Sequence, residues 1–282
     1  MTAAPSRYAV VGHPVAHSQS PFIHAAFAAQ TGEPVRYERL LCPLDGFAAA
    51  VRDFAAGGAS GCNVTMPFKF EAFELVAKTT PRARVAAACN TLRFDADGWL
   101  GDNTDGAGLV RDIERNAGVD LRGARILLIG AGGGAAGALG PLLASGASEV
   151  VVANRSADKA RALVDRHVHA LGNGGSTRVV AASLDRCGEA FDVVVNATAT
   201  SVAGAGVPVA ASVLRVGGLA VDMMYGPAAA PFVSWAESHG ANGRDGLGML
   251  VEQAAEAFLL WRGVEPDTAP VLRALRTRIA TA

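Results

Sequence analysis

The sequence predicts an α/β protein whose second half is a parallel, doubly wound sheet, and three observations carry that expectation. Apolar strands and helices alternate from Arg125 onward: strand 126–129, helix 135–145, strand 149–153, helix 157–167, then strands 177–181, 192–196 and 219–222. The first of these strands runs into Gly130-Ala131-Gly132-Gly133-Gly134-Ala135, a glycine turn that opens a helix. The third observation is bulk. At 282 residues, 50% apolar and 18% charged, the chain suffices for two domains or one large α/β unit.

The elements follow in order from local signals. Tyr8-Ala9-Val10-Val11 is a short apolar strand ending at Gly12. Ser20 as cap and Pro21 at the first helical position start a helix to about residue 30. A strand over 35–41, a helix over 44–55 and a strand over 61–64 come next, and Pro67 is read as opening another helix. Segments 89–94 and 99–101, joined by a turn at 95–98, read as a hairpin. Residues 104–116 are helical, capped by Thr104 or Asp105. Segment 169–177, rich in Gly and Asn, reads as a surface loop, and 249–262 and 268–280 as helices.

Composition narrows the function. A net charge of −1 offers no basic field for nucleic acid, so a small-molecule substrate is expected and no nucleic-acid partner. The four cysteines are scattered without a C-x-x-C pair, which argues against zinc or a disulfide framework and fits a reducing compartment. His13 and His17 stand four apart, but Pro14 between them opposes the helix that metal ligation would need, so no metal is expected. Residues 126–148 are uncharged, long enough to cross a bilayer, but the glycine cluster and Pro141 suit a buried strand, turn and helix better. The first seven residues hold no apolar signal core. A cytoplasmic location and no membrane association are the expectation.

The turn at Gly130 has the G-x-G-x-x-A pattern of a dinucleotide site. One glycine makes the sharp turn, a second lets the pyrophosphate approach the backbone, and a small third residue lets helix and strand pack closely. The helix N-terminus then presents free N–H groups to the diphosphate. The end of the next strand discriminates between dinucleotides. An NAD site offers a carboxylate there, whereas this chain offers Asn154-Arg155-Ser156 with Lys159 a turn later. Arginine can pair with a 2′-phosphate in bidentate fashion, so NADP is favoured over NAD, with a plain surface cation as the other reading of Arg155. Asp158 lies inside the following helix and reads as a first-turn charge.

Polar residues in the first third gather at element ends: Ser18 and Ser20 in His17–Pro21, Asn63 to Lys69, Asn90-Thr91, and Gly101 to Gly106 with Asp105. Each alone has a structural explanation as a turn, cap or solvated residue. Together the runs H-S-x-S-P, N-V-T-x-P-F-K, N-T and G-D-N-T-D-G, the glycine turn, Asn154-Arg155, Asn196-Ala197-Thr198, Asp222-Met223-Met224-Tyr225, and Asp245 to Leu250 with Gln253 closely resemble the shikimate dehydrogenases.

That resemblance spans nearly the whole chain and implies an NADP-dependent reduction of 3-dehydroshikimate to shikimate, on the route to chorismate and aromatic amino acids. It implies Lys69 as the catalytic lysine with Asp105 as its partner. Ser18 and Ser20 hold the substrate carboxylate with Tyr225 nearby, and Thr65, Asn90, Asp105 and Gln253 bind the ring. Gly130, Ala131, Gly132, Gly133, Gly134, Asn154, Arg155, Ser156, Lys159, Met223 and Gly246 line the cofactor. Two domains are implied: a substrate domain over 1–105 and a Rossmann-like NADP domain over 106–246. Helices over 247–282 return to the first, in a monomer or homodimer. Two departures stand out. The family often has Gly-Ala-Val where this chain has Ala87-Ala88-Cys89, and its N-A-T-S-x-G becomes Asn196-Ala197-Thr198-Ala199-Thr200-Ser201. Carbonyl reduction needs an acid at the oxygen, a role an ammonium can fill while Asp105 orients it. Two other readings remain: a quinate/shikimate dehydrogenase using NAD(H), and a non-catalytic nucleotide sensor. The lack of a carboxylate at Ser156 opposes the first, and the presence of Lys69 and Asp105 the second.

Overall fold

The computed structural model describes residues 4–171, 176–198 and 206–281. It divides into two compact units, Met1–Gly108 with Leu250–Ala282, and Leu109–Met249.

The first unit is built on strands β1 (Ser6–Gly12), β2 (Val35–Leu41), β3 (Ala59–Val64), β4 (Lys78–Thr79), β5 (Thr91–Arg93) and β6 (Leu100–Asp102). They form one mixed sheet in the order β2-β1-β3-β5-β6-β4. β1 pairs parallel with β2 and β3, while β5 runs antiparallel to β3 and β6. Helices α1 (Ser20–Thr31), α2 (Phe47–Ala56), α3 (Lys69–Leu75), α4 (Pro81–Ala86), the start of α5 (Asp105–Arg111), α9 (Leu247–Arg262, from Leu250) and α10 (Thr268–Ala280) complete it. One core buries Val11, Phe47, Val51, Cys62, Phe68 and Leu92. A second forms where the C-terminal helix returns, with Trp261 stacked on Tyr8 at 4.4 Å.

The second unit carries β7 (Arg125–Ile129), β8 (Glu149–Asn154), β9 (Arg178–Ser183), β10 (Phe191–Asn196), β11 (Leu214–Asp222) and β12 (Asn242–Arg244), with α6 (Gly133–Ala144), α7 (Ala157–Leu171) and α8 (Ala230–Ser238). Its sheet is parallel throughout, in the order β12-β11-β10-β7-β8-β9. Strands covered on both faces explain the uninterrupted apolar run Ile126–Ile129, in which all four side chains are fully buried. The fold is thus a two-domain α/β protein with a doubly wound second domain and C-terminal helices that rejoin the first.

Local expectations are corrected in several places. Ser20 is not a cap: Gln19 holds that position, Ser20 is the first helical residue and Pro21 the second. Pro67 does not open a helix, since α3 begins at Lys69 and Pro67 lies in the preceding turn. α2 starts at Phe47 rather than residue 44, because Pro43 to Gly46 form a turn closed by the Gly46 N–H to the Pro43 carbonyl. α5 continues as a π-helix, Asp112–Asn116, whose buried Asp112 accepts two hydrogen bonds from Arg244. α7 runs to Leu171 through part of the expected loop, and 172–175 lie outside the described residues. No residue pattern announced β4, α4, α8 or β12.

Candidate active site

The polar residues of the first unit converge at the ends of its central strands. Lys69 opens α3 directly after the turn that follows β3, and Asp105 opens α5 a short turn after β6. The Lys69 Nζ donates to Asp105 Oδ2 at 2.5 Å, and both side chains are largely buried. Asn90, just before β5, is the hub. Its amide N–H groups face Thr104 Oγ1 at 2.8 Å, Asp105 Oδ1 at 2.9 Å and Gln253 Oε1 at 3.2 Å. Two N–H groups thus meet three acceptors, so the cluster can accept a further hydrogen bond from a ligand hydroxyl. The Asn90 Oδ1 accepts from the Thr104 N–H and the Thr91 hydroxyl.

Ser18 and Ser20 are buried, and their hydroxyls are 3.2 Å apart at the entry to α1. The Ser20 hydroxyl caps no helix and accepts from the Ser18 hydroxyl. Thr65 follows β3, and its methyl group lies where a side chain on Gly12 would project. Tyr225 lies past β11 in the second unit.

Several contributors were invisible to sequence reasoning. Arg82 donates to both oxygens of buried Asp102 and to Glu256, three residues beyond Gln253 on α9. Despite burial, the Arg82 hydrogen bonds and charge hold the Asp102 carboxyl below the usual carboxylate range. Asn63 receives the Tyr37 hydroxyl at 2.7 Å and donates to Thr91. Asn63 and Asp102 stood inside the short motifs without a role and Thr104 only as a candidate helix cap, whereas Arg82 carried no signal at all.

The second unit presents its glycine turn at the C-terminal ends of β7 and β10. Gly130 has φ +118°, and a Cβ there would sit 3.1 Å from the Ala197 carbonyl oxygen. At Gly132 a Cβ would meet nothing within 4 Å, so the space that only glycine leaves open fits a pyrophosphate. α6 then begins without a side-chain cap, leaving its first N–H groups for an anion. Met223 packs its thioether over Gly134, and Gly246 approaches the Met223 carbonyl oxygen so closely that a Cβ would lie 2.5 Å from it. Ala131, Gly133 and Gly134 complete the turn.

At the end of β8, Asn154 donates to the Ser156 carbonyl while Arg155, Ser156 and Lys159 are exposed. Among the described residues no carboxylate pairs with Arg155 or Lys159. A cavity of about 850 Å3 opens beside Arg155, and its lining mixes Arg186 with the carboxylates Asp185 and Glu189. The glycine turn, the uncapped start of α6 and the exposed Arg155 and Lys159 fit a dinucleotide with a charged adenosine end. Of the altered N-A-T-A-T-S run, Ala199, Thr200 and Ser201 lie outside the described residues.

Comparison with known proteins matches three family models: the shikimate dehydrogenase substrate binding domain over 10–92, shikimate / quinate 5-dehydrogenase over 112–204, and the shikimate 5′-dehydrogenase C-terminal domain over 246–276. The shikimate dehydrogenase (NADP(+)) of Methylibium petroleiphilum is 65% identical over 283 residues, covering 98% of this chain and 96% of that protein. The chain belongs to the shikimate dehydrogenase family.

Two solved structures share the fold. The Ael1 enzyme from Pseudomonas putida superposes with a TM-score of 0.85 at 43% identity, over 96% of this chain and 98% of its own. Shikimate 5-dehydrogenase from Thermus thermophilus, in complex with shikimate, gives 0.83 at 30% identity, over 98% and 99%. Ala87, just past α4, adopts a left-handed φ of +47°. No helix among the described residues is long and apolar enough to cross a membrane.

Proposed function

We propose that this chain catalyses the reversible NADPH-dependent reduction of 3-dehydroshikimate to shikimate. The observation that carries the reading is the Lys69–Asp105 contact inside a cluster with spare acceptor capacity from Asn90, Thr104 and Gln253. Lys69 donates to the substrate carbonyl oxygen as negative charge grows there, and supplies the proton directly or through water. Asp105 holds the ammonium in place from one oxygen while its other oxygen is fixed by Asn90. Asn90, Thr65 and Gln253 orient the ring through its hydroxyls, and Ser18 and Ser20 donate to the ring carboxylate. Tyr225 is assigned to that carboxylate on family resemblance.

Bound NADPH supplies the hydride. Gly130, Ala131, Gly132, Gly133 and Gly134 receive its pyrophosphate at the start of α6, with Met223 and Gly246 forming the adjoining wall. Asn154, Arg155, Ser156 and Lys159 would hold its 2′-phosphate. The NAD(H)-using quinate/shikimate alternative is disfavoured by the absence of a carboxylate at this strand end and by the NADP(+) specificity in the relative's name. The four cysteines are buried and unpaired, which fits action in a reducing cytoplasm.

Cofactor oxidation measured with 3-dehydroshikimate and with 3-dehydroquinate, each with NADPH and NADH, tests the proposal. The expected result is fastest turnover with 3-dehydroshikimate and NADPH. Turnover only with NADH, or only with 3-dehydroquinate, sinks it.

A further inference from the structure

The proposed substrate carries a carboxylate, yet the groups offered to it, Ser18 and Ser20, are uncharged hydroxyls. A carboxylate leaving water gains from a positive potential as well as from donors. Lys69 supplies little of it, since Asp105 lies 2.5 Å from its ammonium and the pair sums to zero charge.

Arg39 stands where such a charge is needed. Strand alternation puts Tyr37 and Arg39 on one face of β2, the face beneath α1, where Tyr37 stacks on His24 with ring centroids 4.1 Å apart. From that face Arg39 donates through Nε at 3.0 Å and Nη2 at 2.6 Å to the carbonyl oxygen of Ser18. On the same strand Arg36 pairs with Glu38, as does Arg7 on β1. Among the described residues, no carboxylate pairs with Arg39. Its guanidinium is held by a neutral carbonyl, so its charge stays uncompensated at the backbone of Ser18, the residue that carries one of the two hydroxyls.

We propose that Arg39 is a positioning residue for the substrate carboxylate. It pins the Ser18 backbone so that the Ser18 and Ser20 hydroxyls converge, and its charge supplies the field that favours an anionic ring acid over an uncharged analogue. The inference rests on shikimate being the substrate of this chain.

Steady-state kinetics of the full chain with NADP+ and either shikimate or its uncharged carboxamide test it, on wild type, Arg39→Gln and Arg39→Lys. Glutamine can still donate to the Ser18 carbonyl but has no charge; lysine keeps the charge. Arg39→Gln should raise KM for shikimate about threefold to tenfold. Its kcat and its KM for NADP+ should stay near wild type, and Arg39→Lys should recover most of the loss. Added salt should raise the wild-type KM for shikimate, leave the carboxamide nearly unaffected, and act less on Arg39→Gln. Equal weakening in both variants, an unchanged KM in Arg39→Gln, or a wild-type KM that ignores salt overturns the role of the charge. The salt comparison needs no variant, so it decides even if a substitution prevents folding. A wild type that oxidises neither shikimate nor its carboxamide overturns the underlying function, a failure visible before any variant is made.

Discussion

Lys69 and Asp105 are 36 residues apart in the chain and reach each other because each begins a helix a short turn after a strand of one sheet. The proposed acid is thus held by backbone that cannot shift without disturbing the sheet. Lys69→Ala is expected to lower kcat by roughly two orders of magnitude or more, the scale of a lost general acid, while KM for shikimate moves much less. Near wild-type turnover in a folded Lys69→Ala protein contradicts the assignment. Ser18 and Ser20 make a second test at this scale. A hydrogen bond to a charged group is worth about 1.5–3 kcal/mol, so Ser18→Ala and Ser20→Ala should each raise KM for shikimate about tenfold or more. Since Ser20 caps no helix here, its replacement should leave the melting temperature close to wild type. A large loss of Tm with unchanged KM would return Ser20 to a purely structural role.

Among the elements, the junction of β8 and α7 decides the nucleotide. Arg155 and Lys159 are exposed there, Arg155 beside a cavity, and neither has a carboxylate partner among the described residues. A 2′-phosphate adds about −1.5 to −2 charge, and solvent exposure keeps each contact at the weaker end of its range. Arg155→Ala should then raise KM for NADPH by roughly tenfold and leave NADH nearly unaffected. An equal effect on both cofactors, measured at saturating substrate, would remove the phosphate from the explanation. The end of α4 offers a test of stability alone. Ala87 takes a left-handed conformation that costs a side-chain-bearing residue roughly 1–2 kcal/mol, and glycine adopts it freely. Ala87→Gly is expected to raise stability by about 0.5–1 kcal/mol, read as a higher denaturant midpoint. A lower midpoint would mean that chain entropy outweighs the relief.

At the scale of the whole molecule, acid stability is set in part by imidazoles the folded chain keeps neutral. His24 is fully buried and stacked among aromatic rings, with neither ring nitrogen hydrogen-bonded. Desolvation lowers its pKa from 6.5 to about 3, opposed only in part by the nearby Asn63 side chain. His167, bridging α7 to the Ala136 carbonyl of α6, is lowered for the same reason. An unfolded chain therefore binds protons that the folded one refuses. The contribution of the two imidazoles is full above about pH 6.5 and is lost as the pH falls, for His24 by about 1.4 kcal/mol per unit down toward pH 3. His24→Phe, which keeps a ring in the stack, should flatten the loss between pH 6.5 and 4.5 by one group's share. An unchanged slope in denaturant titrations would show that His24 does not carry the effect.

The doubly wound sheet, the glycine turn and the short motifs of the first third were legible in the sequence because each depends on local periodicity or on a few adjacent residues. Strand 126–129 is buried on both faces and reads as an unbroken apolar run, and Asn154-Arg155 ends the next strand in plain view. Gln253 is different: 163 residues separate it from Asn90, and only the return of α9 to the first sheet brings them within hydrogen-bond reach. Arg82 and Arg39 show the same limit, since an arginine on a short helix or an edge strand looks like any solvated cation until its acceptors are known. The sequence by itself determined most of the strands and helices of the doubly wound half, the dinucleotide turn and the family resemblance. Tertiary structure decided which polar groups meet, because hydrogen bonds across a sheet join residues whose spacing along the chain carries no trace of the contact.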